Sequence, residues 1–149
     1  VWQAFAAGVA SVAVFTGPQA YVSPNWYPSK HANGMAVPTW NYATVHAHGV
    51  PQAFDDAQRL LDVVTRLTET HEAGQALPWQ VTDSPVDYIN KMLGAIVGFE
   101  IPVTRWVGKW KVSQNRPAAD QQGVAAGLAG QPDGAGAQMA ALVQQKIKA

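Results

Sequence analysis

The sequence contains no cysteine among its 149 residues. Disulfide bonds and thiolate metal sites are therefore excluded, and the absence suits a reducing cytoplasm, where we expect the protein to act. Neither sign of charge is in excess, because ten basic residues balance ten acidic ones. A dedicated nucleic-acid-binding domain usually carries a basic excess that neutralises phosphates. The balanced charge therefore does not support direct contact with DNA, and the sequence shows no helix-turn-helix motif. Such contact nevertheless stays open.

Long apolar runs are also missing, since no stretch approaches the roughly 20 residues that a helix needs to cross a bilayer. We therefore expect no membrane span. The sequence has no glycine-rich phosphate loop, no H-E-x-x-H and no G-x-S-x-G, and we predict no catalytic residue. His46 and His48 share one face of a predicted strand, but no further ligand lies near them in sequence, so we predict no metal site.

Aromatic rings and prolines are concentrated in residues 21–42. Two similar clusters, residues 23–27 and 38–42, each place a proline beside flat side chains and side-chain donors. Proline fixes φ, so the rings are presented from stiff backbone, as a wall for a planar ligand would require. For any single aromatic residue, filling the core is the more common role, and both interpretations stay open.

Hydrophobic periodicity predicts an α+β domain whose sheet curls toward a barrel, with too few strands to close it. A chain of this length suits one domain, which we assign to residues 1–149. The predicted strands cover residues 11–16, 40–49 and 97–104, followed by a turn at Val107 and Gly108 and a returning strand over 109–113. The predicted helices cover 1–8, 55–72 with Asp55 as its cap, a segment capped by Ser84, 119–128, and a last turn or two around Met139. Residues 28–36 are predicted as a loop and 131–136 as a flexible joint.

The sequence resembles the FMN-binding negative transcriptional regulators of the PaiB family. That family carries Y-x-S-P-x-W-Y followed by V-P-T-W-N-Y, matched here by residues 21–27 and 37–42, and later K-x-S-Q-N-R, matched by residues 111–116. The resemblance implies an FMN-binding split β-barrel with peripheral helices, whose first strands would precede this sequence. Residues 1–116 would supply barrel strands and inserted helices, and residues 117–149 a carboxy-terminal helical segment.

In split barrels of this kind FMN lies at the contact between two subunits, so the resemblance also implies a homodimer. A second subunit would give Trp106, Trp110 and the region of Trp40 an apolar partner. The function it implies is negative regulation of transcription. Two alternatives stay open: a flavin-dependent oxidoreductase, disfavoured because no residue stands out as a general acid or base, and an interaction module without flavin.

Side-chain chemistry and the family motifs together predict the residues that bind FMN. Lys111 and Arg116 would hold the phosphate dianion, with Ser113 as a neutral donor, while tryptophan rings and amide side chains would contact the flat ring system. Residues 113–116 could instead form a structural corner, rich in amides, that hydrogen-bonds the returning backbone. The predicted set is Trp26, Thr39, Trp40, Asn41, Lys111, Ser113, Gln114, Asn115 and Arg116.

Overall fold

The computed structural model describes residues 8–132 and 134–147. It is an α+β structure with antiparallel sheets. The strands are β1 (Ser11–Val22), β2 (Thr39–Gly49), β3 (Gln52–Phe54), β4 (Gly98–Glu100) and β5 (Val103–Lys111). The helices are α1 (Pro28–Asn33), α2 (Ala57–Glu72), α3 (Val86–Leu93), α4 (Ala118–Ala129) and α5 (Gly134–Gln144). Within these described ranges, no helix is both long enough and apolar enough to span a membrane.

The chain forms two compact units. Among the described residues, one comprises 12–47 with 105–132 and 134–147, and the other comprises 8–11 with 48–104. In the first unit, strands β1, β2 and β5 form a sheet in the order β1-β2-β5, so β2 is central. In the second unit, β3 and β4 form a short antiparallel ladder in which Ala53 faces Phe99.

The core of the first unit lies between the end of β1, the turn after β5 and the two carboxy-terminal helices. Each fully buried large side chain there contributes about 1.5–3 kcal/mol by leaving water. Helices α4 and α5 bury side chains in this core, and α5 is longer than the predicted turn or two and begins within the predicted flexible joint. The buried cluster comprises Ala20, Val22, Tyr27, Val112, Val124, Ala125, Leu128, Met139, Ala140 and Val143.

The prediction of a loop over residues 28–36 is wrong, because the segment contains helix α1. Pro28 occupies the first helical turn, where its missing N–H costs nothing, and Gly34 ends the helix with φ of 70°. Proline and glycine thus mark the two ends of a short helix here, rather than a loop.

The predicted hairpin around Val107 and Gly108 is also wrong. Pro102 has no N–H for a ladder bond, and the extended chain is interrupted there, between β4 and β5. Strand β5 then runs straight through Gly108. A Cβ at Gly108 would lie 2.6 Å from Cζ3 of Trp110, so this glycine makes room for a ring instead of making a turn.

Two helix starts differ from the prediction by one residue. The Asp56 carboxylate, rather than that of Asp55, caps α2 by accepting a hydrogen bond of 2.8 Å from the Arg59 N–H. Pro85, rather than Ser84, occupies the cap position of α3. The strands over 11–16 and 40–49 and the helices over 55–72 and 119–128 are confirmed, and the predicted helix over 1–8 lies outside the described residues except for Gly8.

The ring of Trp26 packs against α4 at a notch that a glycine leaves open. A Cβ at Gly127 would lie 2.5 Å from Cε2 and 2.6 Å from Cγ of Trp26. Those distances are shorter than any normal carbon contact, so Gly127 is required for the aromatic segment to reach the helix.

Gly127→Ala should therefore lower the free energy of unfolding by about 1–3 kcal/mol, the usual cost of overpacking. Denaturant unfolding of the purified chain measures the effect. Gly130→Ala is the matched control, because a Cβ there would meet only helix carbonyl oxygens at 3.7 Å. Equal unfolding midpoints for the two variants would contradict the packing of Trp26 on this notch.

Candidate functional site

Polar side chains from the start of β2 and the end of β5 meet in the first unit. Thr39 and Asn41 lie on one face of β2, because alternate residues of a strand point the same way. The Lys111 Nζ donates a hydrogen bond to Thr39 Oγ1 at 2.5 Å. The Asn41 Nδ2 donates to Ser113 Oγ at 2.9 Å. We call these four residues the strand-end cluster.

Asn41 is the most buried member of the strand-end cluster, with 1% of its surface exposed. Its Oδ1 atom is buried and has no hydrogen-bond partner among the described residues. An unsatisfied buried acceptor costs about 1–3 kcal/mol. The cluster therefore holds an acceptor that a donor group of a ligand could satisfy.

Ser113, the buried partner of Asn41, has a strained backbone. Among the described residues it is the non-glycine residue with a positive φ, at 60°. A side chain in the left-handed region costs about 1–3 kcal/mol and persists only where surrounding contacts enforce it. The positive φ lies in the turn that follows β5, where the Ser113 hydroxyl accepts the hydrogen bond from Asn41.

The amide residues that follow Ser113 have different positions. Gln114 folds back on the end of β5, where its Oε1 accepts from the Val112 N–H at 2.8 Å and its Nε2 donates to the Trp110 carbonyl at 2.6 Å. Asn115 is exposed beside it. Gln114 thus has the structural role that was the alternative prediction for residues 113–116. It is also exposed, on the surface next to the strand-end cluster.

Arg116 lies on the core side of the same turn. Its guanidinium carbon is 4.7 Å from the centre of the Tyr27 ring, a distance typical of cation–π contacts. Its backbone is held at both ends of the residue: its N–H donates to the Ser113 carbonyl at 3.0 Å, and its carbonyl accepts from Gln121 Nε2 at 2.8 Å.

Sequence reasoning missed the buried carboxylate of Asp120. Only 1% of this residue is exposed, and its oxygens accept from the Ser29 N–H at 3.0 Å and the Ser29 hydroxyl at 2.6 Å. The pair joins α4 to α1. An acidic residue in the first turn of a helix is common on surfaces, so nothing in the pattern indicated that this one would be buried.

Tyr27 is the buried ring of this corner. Burial raises the pKa of its phenol, the nearby positive charge of Arg116 opposes the rise, and Asp120 adds to it. Its hydroxyl oxygen is buried, and no described residue lies within hydrogen-bonding geometry of it.

The two predicted tryptophans lie apart from the cluster contacts. Trp40 alternates with Thr39 and Asn41 and so lies on the other face of β2, 48% exposed, with its ring edge-to-face with Tyr21 at 6.3 Å and its Nε1 donating to Gln19 Oε1 at 3.2 Å. Trp26 contacts α4. In the part of the chain that the structure describes, no three His, Asp or Glu side chains gather in an arrangement that could hold a metal ion.

Comparison with known proteins identifies the family. A family model described as "Putative FMN-binding domain" matches residues 1–105. "Protease synthase and sporulation protein PAI 2" of Bacillus subtilis is 31% identical over 147 residues, which cover 99% of this chain and 68% of that protein. The chain belongs to the PaiB family of FMN-binding proteins.

Two fungal relatives are longer than this chain. An uncharacterized protein of Emericella nidulans is 34% identical over 144 residues, covering 89% of this chain and 57% of the relative. An uncharacterized protein of Aspergillus fumigatus is 34% identical over 131 residues, covering 77% of this chain and 50% of the relative. The aligned part of this chain thus spans about half the length of these two relatives.

FMN is the cofactor of this domain. The strand-end cluster fits such a group chemically, since it combines an ammonium, two hydroxyls, an amide donor and the unsatisfied Asn41 Oδ1. Thr39 and Asn41 lie within the residues that the family model matches, whereas Lys111 and Ser113 lie beyond them and within the Bacillus subtilis match.

The raised pKa of Tyr27 predicts a loss of stability in alkali. The phenol is neutral when protonated, and the folded chain holds that proton more tightly than the unfolded chain, whose tyrosines titrate near about pH 10. This contribution is therefore fully present below about pH 10 and is lost as the pH rises through the folded pKa. Denaturant unfolding between about pH 9 and 12 measures it.

Tyr27→Phe should lack this alkaline loss, so its stability should fall less steeply with pH than that of the wild type. Tyr88→Phe, at an exposed ring on α3, is the control and should follow the wild type. Parallel curves for the wild type and Tyr27→Phe would contradict the account of this corner.

Proposed function

We propose that the strand-end cluster binds the phosphate end of FMN and that the domain, as a homodimer, acts in the negative regulation of transcription. The observation that carries the proposal is the convergence of Lys111, Thr39, Asn41 and Ser113, two of which are buried. Residues 1–149 form one split-barrel domain in this proposal, with residues 117–149 as its helical segment.

Lys111 supplies the charge that a phosphate dianion requires. Its ammonium donates to Thr39 Oγ1 at the mouth of the cluster, and an ammonium with three donors can hold a hydroxyl and a phosphate oxygen together. Ser113 and Thr39 add hydroxyl donors. Arg116, on the turn that follows, adds a second positive charge, although its guanidinium also contacts the Tyr27 ring.

The polar edge of FMN would meet the amide groups. Asn41 Oδ1 accepts a hydrogen bond from a donor of the cofactor, which removes the cost of leaving that atom unsatisfied. Gln114 and Asn115 are exposed next to the cluster and can contact the cofactor from the solvent side. Trp40 and Trp26 stay predicted ring contacts in this proposal, although within one chain Trp40 lies on the face of β2 opposite the cluster and Trp26 packs against α4.

A second copy of the chain covers exposed aromatic surface in this proposal. Strand β5 lies at an edge of its sheet, and Trp106 and Trp110 on it are 62% and 43% exposed. An edge strand with large exposed rings is a surface that proteins usually cover. A subunit contact there is consistent with a cofactor bound between the two copies.

The regulatory part of the proposal rests on the Bacillus subtilis relative, whose name refers to protease synthesis and sporulation. The chain has zero formal net charge. The proposal therefore includes regulation through a ligand or partner protein, and direct contact with DNA stays open although the charge does not support it. The cysteine-free composition suits a cytoplasmic location.

Bound FMN would supply electron transfer, while the chain orients the cofactor and excludes water. The alternative of a flavin-free interaction module conflicts with the FMN-binding family of the chain. Oxidoreductase activity is the remaining alternative, and it is an outcome of the second experiment below.

Lys111→Met should weaken FMN binding at least about tenfold, because a charge-assisted hydrogen bond contributes about 1.5–3 kcal/mol. Riboflavin, which lacks the phosphate, should bind the variant as well as it binds the wild type. Quenching of flavin fluorescence measures both affinities. Lys109→Met, exposed on the same strand, is the control and should bind FMN normally. Unchanged FMN affinity in Lys111→Met would place the phosphate elsewhere.

In the source organism, deletion of the gene should raise a defined set of transcripts, measured by RNA sequencing. Wild-type protein and Lys109→Met should repress them again, whereas Lys111→Met should repress them less, because its weaker FMN binding leaves less of it loaded. Two results together would contradict the regulatory role: an unchanged transcript profile after deletion, and oxidation of NADH or NADPH by the purified FMN-loaded protein. They would show that the protein is an oxidoreductase instead.

A further inference from the structure

The zero net charge of the chain is the sum of two opposite charges, one on each unit. Among the described residues, the first unit holds six lysines and arginines and one acidic residue. The second unit holds three basic and eight acidic residues. The formal charges of the two units are therefore +5 and −5. The net charge of a whole sequence does not reveal such a division, because the fold decides which residues share a unit.

The single acidic residue among the described part of the first unit does not lie on its surface. Asp120 is 1% exposed, and its carboxylate accepts hydrogen bonds from the Ser29 N–H and hydroxyl. Mobile ions screen exposed charges over about 10 Å, so a contact depends on the charges near it rather than on the total of the chain. The described surface of the first unit is therefore basic.

Strand β5 carries half of these cations. Arg105, Lys109 and Lys111 occupy odd-numbered positions of the strand, and such side chains point to the same side. No acidic residue lies on β5. The exposed rings of Trp106 and Trp110 lie on the same strand. One edge strand thus combines rings that favour contact with another molecule and cations that oppose the approach of a second basic surface.

A contact between two copies along β5 would bring these cations together. In a two-fold dimer each subunit contributes the same surface patch, so a contact that includes β5 of one copy also includes β5 of the other. The homodimer proposed above covers Trp106 and Trp110 in this way. Like charges that face each other across such a contact weaken it. Repulsion between the two basic strands therefore opposes the burial of the rings.

FMN carries charge of the opposite sign. A phosphate monoester has a charge of about −1.5 to −2 near pH 7. In the proposed function the phosphate is held by Lys111, which is the last residue of β5. A loaded copy would therefore present a less basic strand to a second copy than an unloaded one does. Riboflavin, which lacks the phosphate, would leave the charge of the strand unchanged.

We propose that FMN controls the assembly of the chain: its phosphate offsets the repulsion between the two β5 strands, so FMN binding and dimerisation strengthen each other. This inference rests on the proposed function, which assigns the phosphate to Lys111 and the subunit contact to β5. The coupling is reciprocal, because a ligand that favours the dimer is bound more tightly by the dimer. The proposed regulation then follows the supply of phosphorylated flavin.

Sedimentation velocity of the whole purified chain tests the coupling. It measures the dissociation constant of the dimer without flavin, with saturating riboflavin and with saturating FMN. At about 20 mM salt, FMN should tighten dimerisation at least about tenfold, and riboflavin should change it less than about twofold. At about 500 mM salt the effect of FMN should shrink, because salt screens the repulsion that the phosphate offsets.

Lys109→Glu reproduces the charge change that the phosphate makes. It replaces a positive charge by a negative one, two residues from Lys111. At low salt the flavin-free variant should dimerise at least about tenfold more tightly than the flavin-free wild type. Lys91→Glu is the matched control, because it makes the same charge change at an exposed position of α3, in the second unit. It should dimerise like the wild type.

The possible failures are distinguishable. Equal dimerisation of the flavin-free and FMN-loaded wild type would overturn the coupling and leave the proposed homodimer standing. Equal tightening by riboflavin and FMN would show that the phosphate charge is not the cause, and so would a Lys109→Glu variant that dimerises no better than Lys91→Glu. Either result would overturn the coupling. A chain that stays monomeric with FMN bound would contradict both the coupling and the homodimer.

Discussion

A buried hydrogen bond from Asn41 Nδ2 to Ser113 Oγ joins the start of β2 to the turn after β5, across 72 residues of sequence. Asn41 has lost its contact with water, so this bond and the unsatisfied Oδ1 determine what the site can accept. The bond also accompanies the strained backbone of Ser113, which ends the strand and directs the chain toward α4. Lys111 and Thr39 form the outer, wetter hydrogen bond of the same connection.

The turn after β5 separates two kinds of chemistry. Lys111, Asn41 and Ser113 bring a cation, an open acceptor and hydroxyl groups together, which is a donor and acceptor set suited to a phosphorylated cofactor. On the core side, Arg116 lies over Tyr27 while Asp120 accepts two hydrogen bonds from Ser29, so these groups bind each other. The core side thus holds the turn in place, and our proposal assigns the cluster side to FMN, with Arg116 between the two. A rigid support of this kind lowers the ordering cost of binding.

Much of this arrangement could be predicted from the sequence, because the motifs place Thr39, Asn41, Lys111 and Ser113 at fixed offsets on two strands. The alternation of side chains along β2 places Trp40 on the face opposite Thr39 and Asn41. Trp40 was predicted as a ligand contact from the motif, without regard to this alternation. The straight course of β5 could not be predicted, because a glycine at position 108 is typical of a turn. In the structure this glycine makes room for the Trp110 ring. The burial of Asp120 could not be predicted either, because the helical pattern does not reveal that Ser29 of another helix donates hydrogen bonds to it.

The crystal structure of the chain with FMN bound tests the central claim most directly. The account predicts a phosphate oxygen within about 3.2 Å of Lys111 Nζ, and a donor of the cofactor within the same distance of Asn41 Oδ1. Flavin density with its phosphate held by other residues, and an Asn41 Oδ1 that the cofactor does not approach, would contradict it.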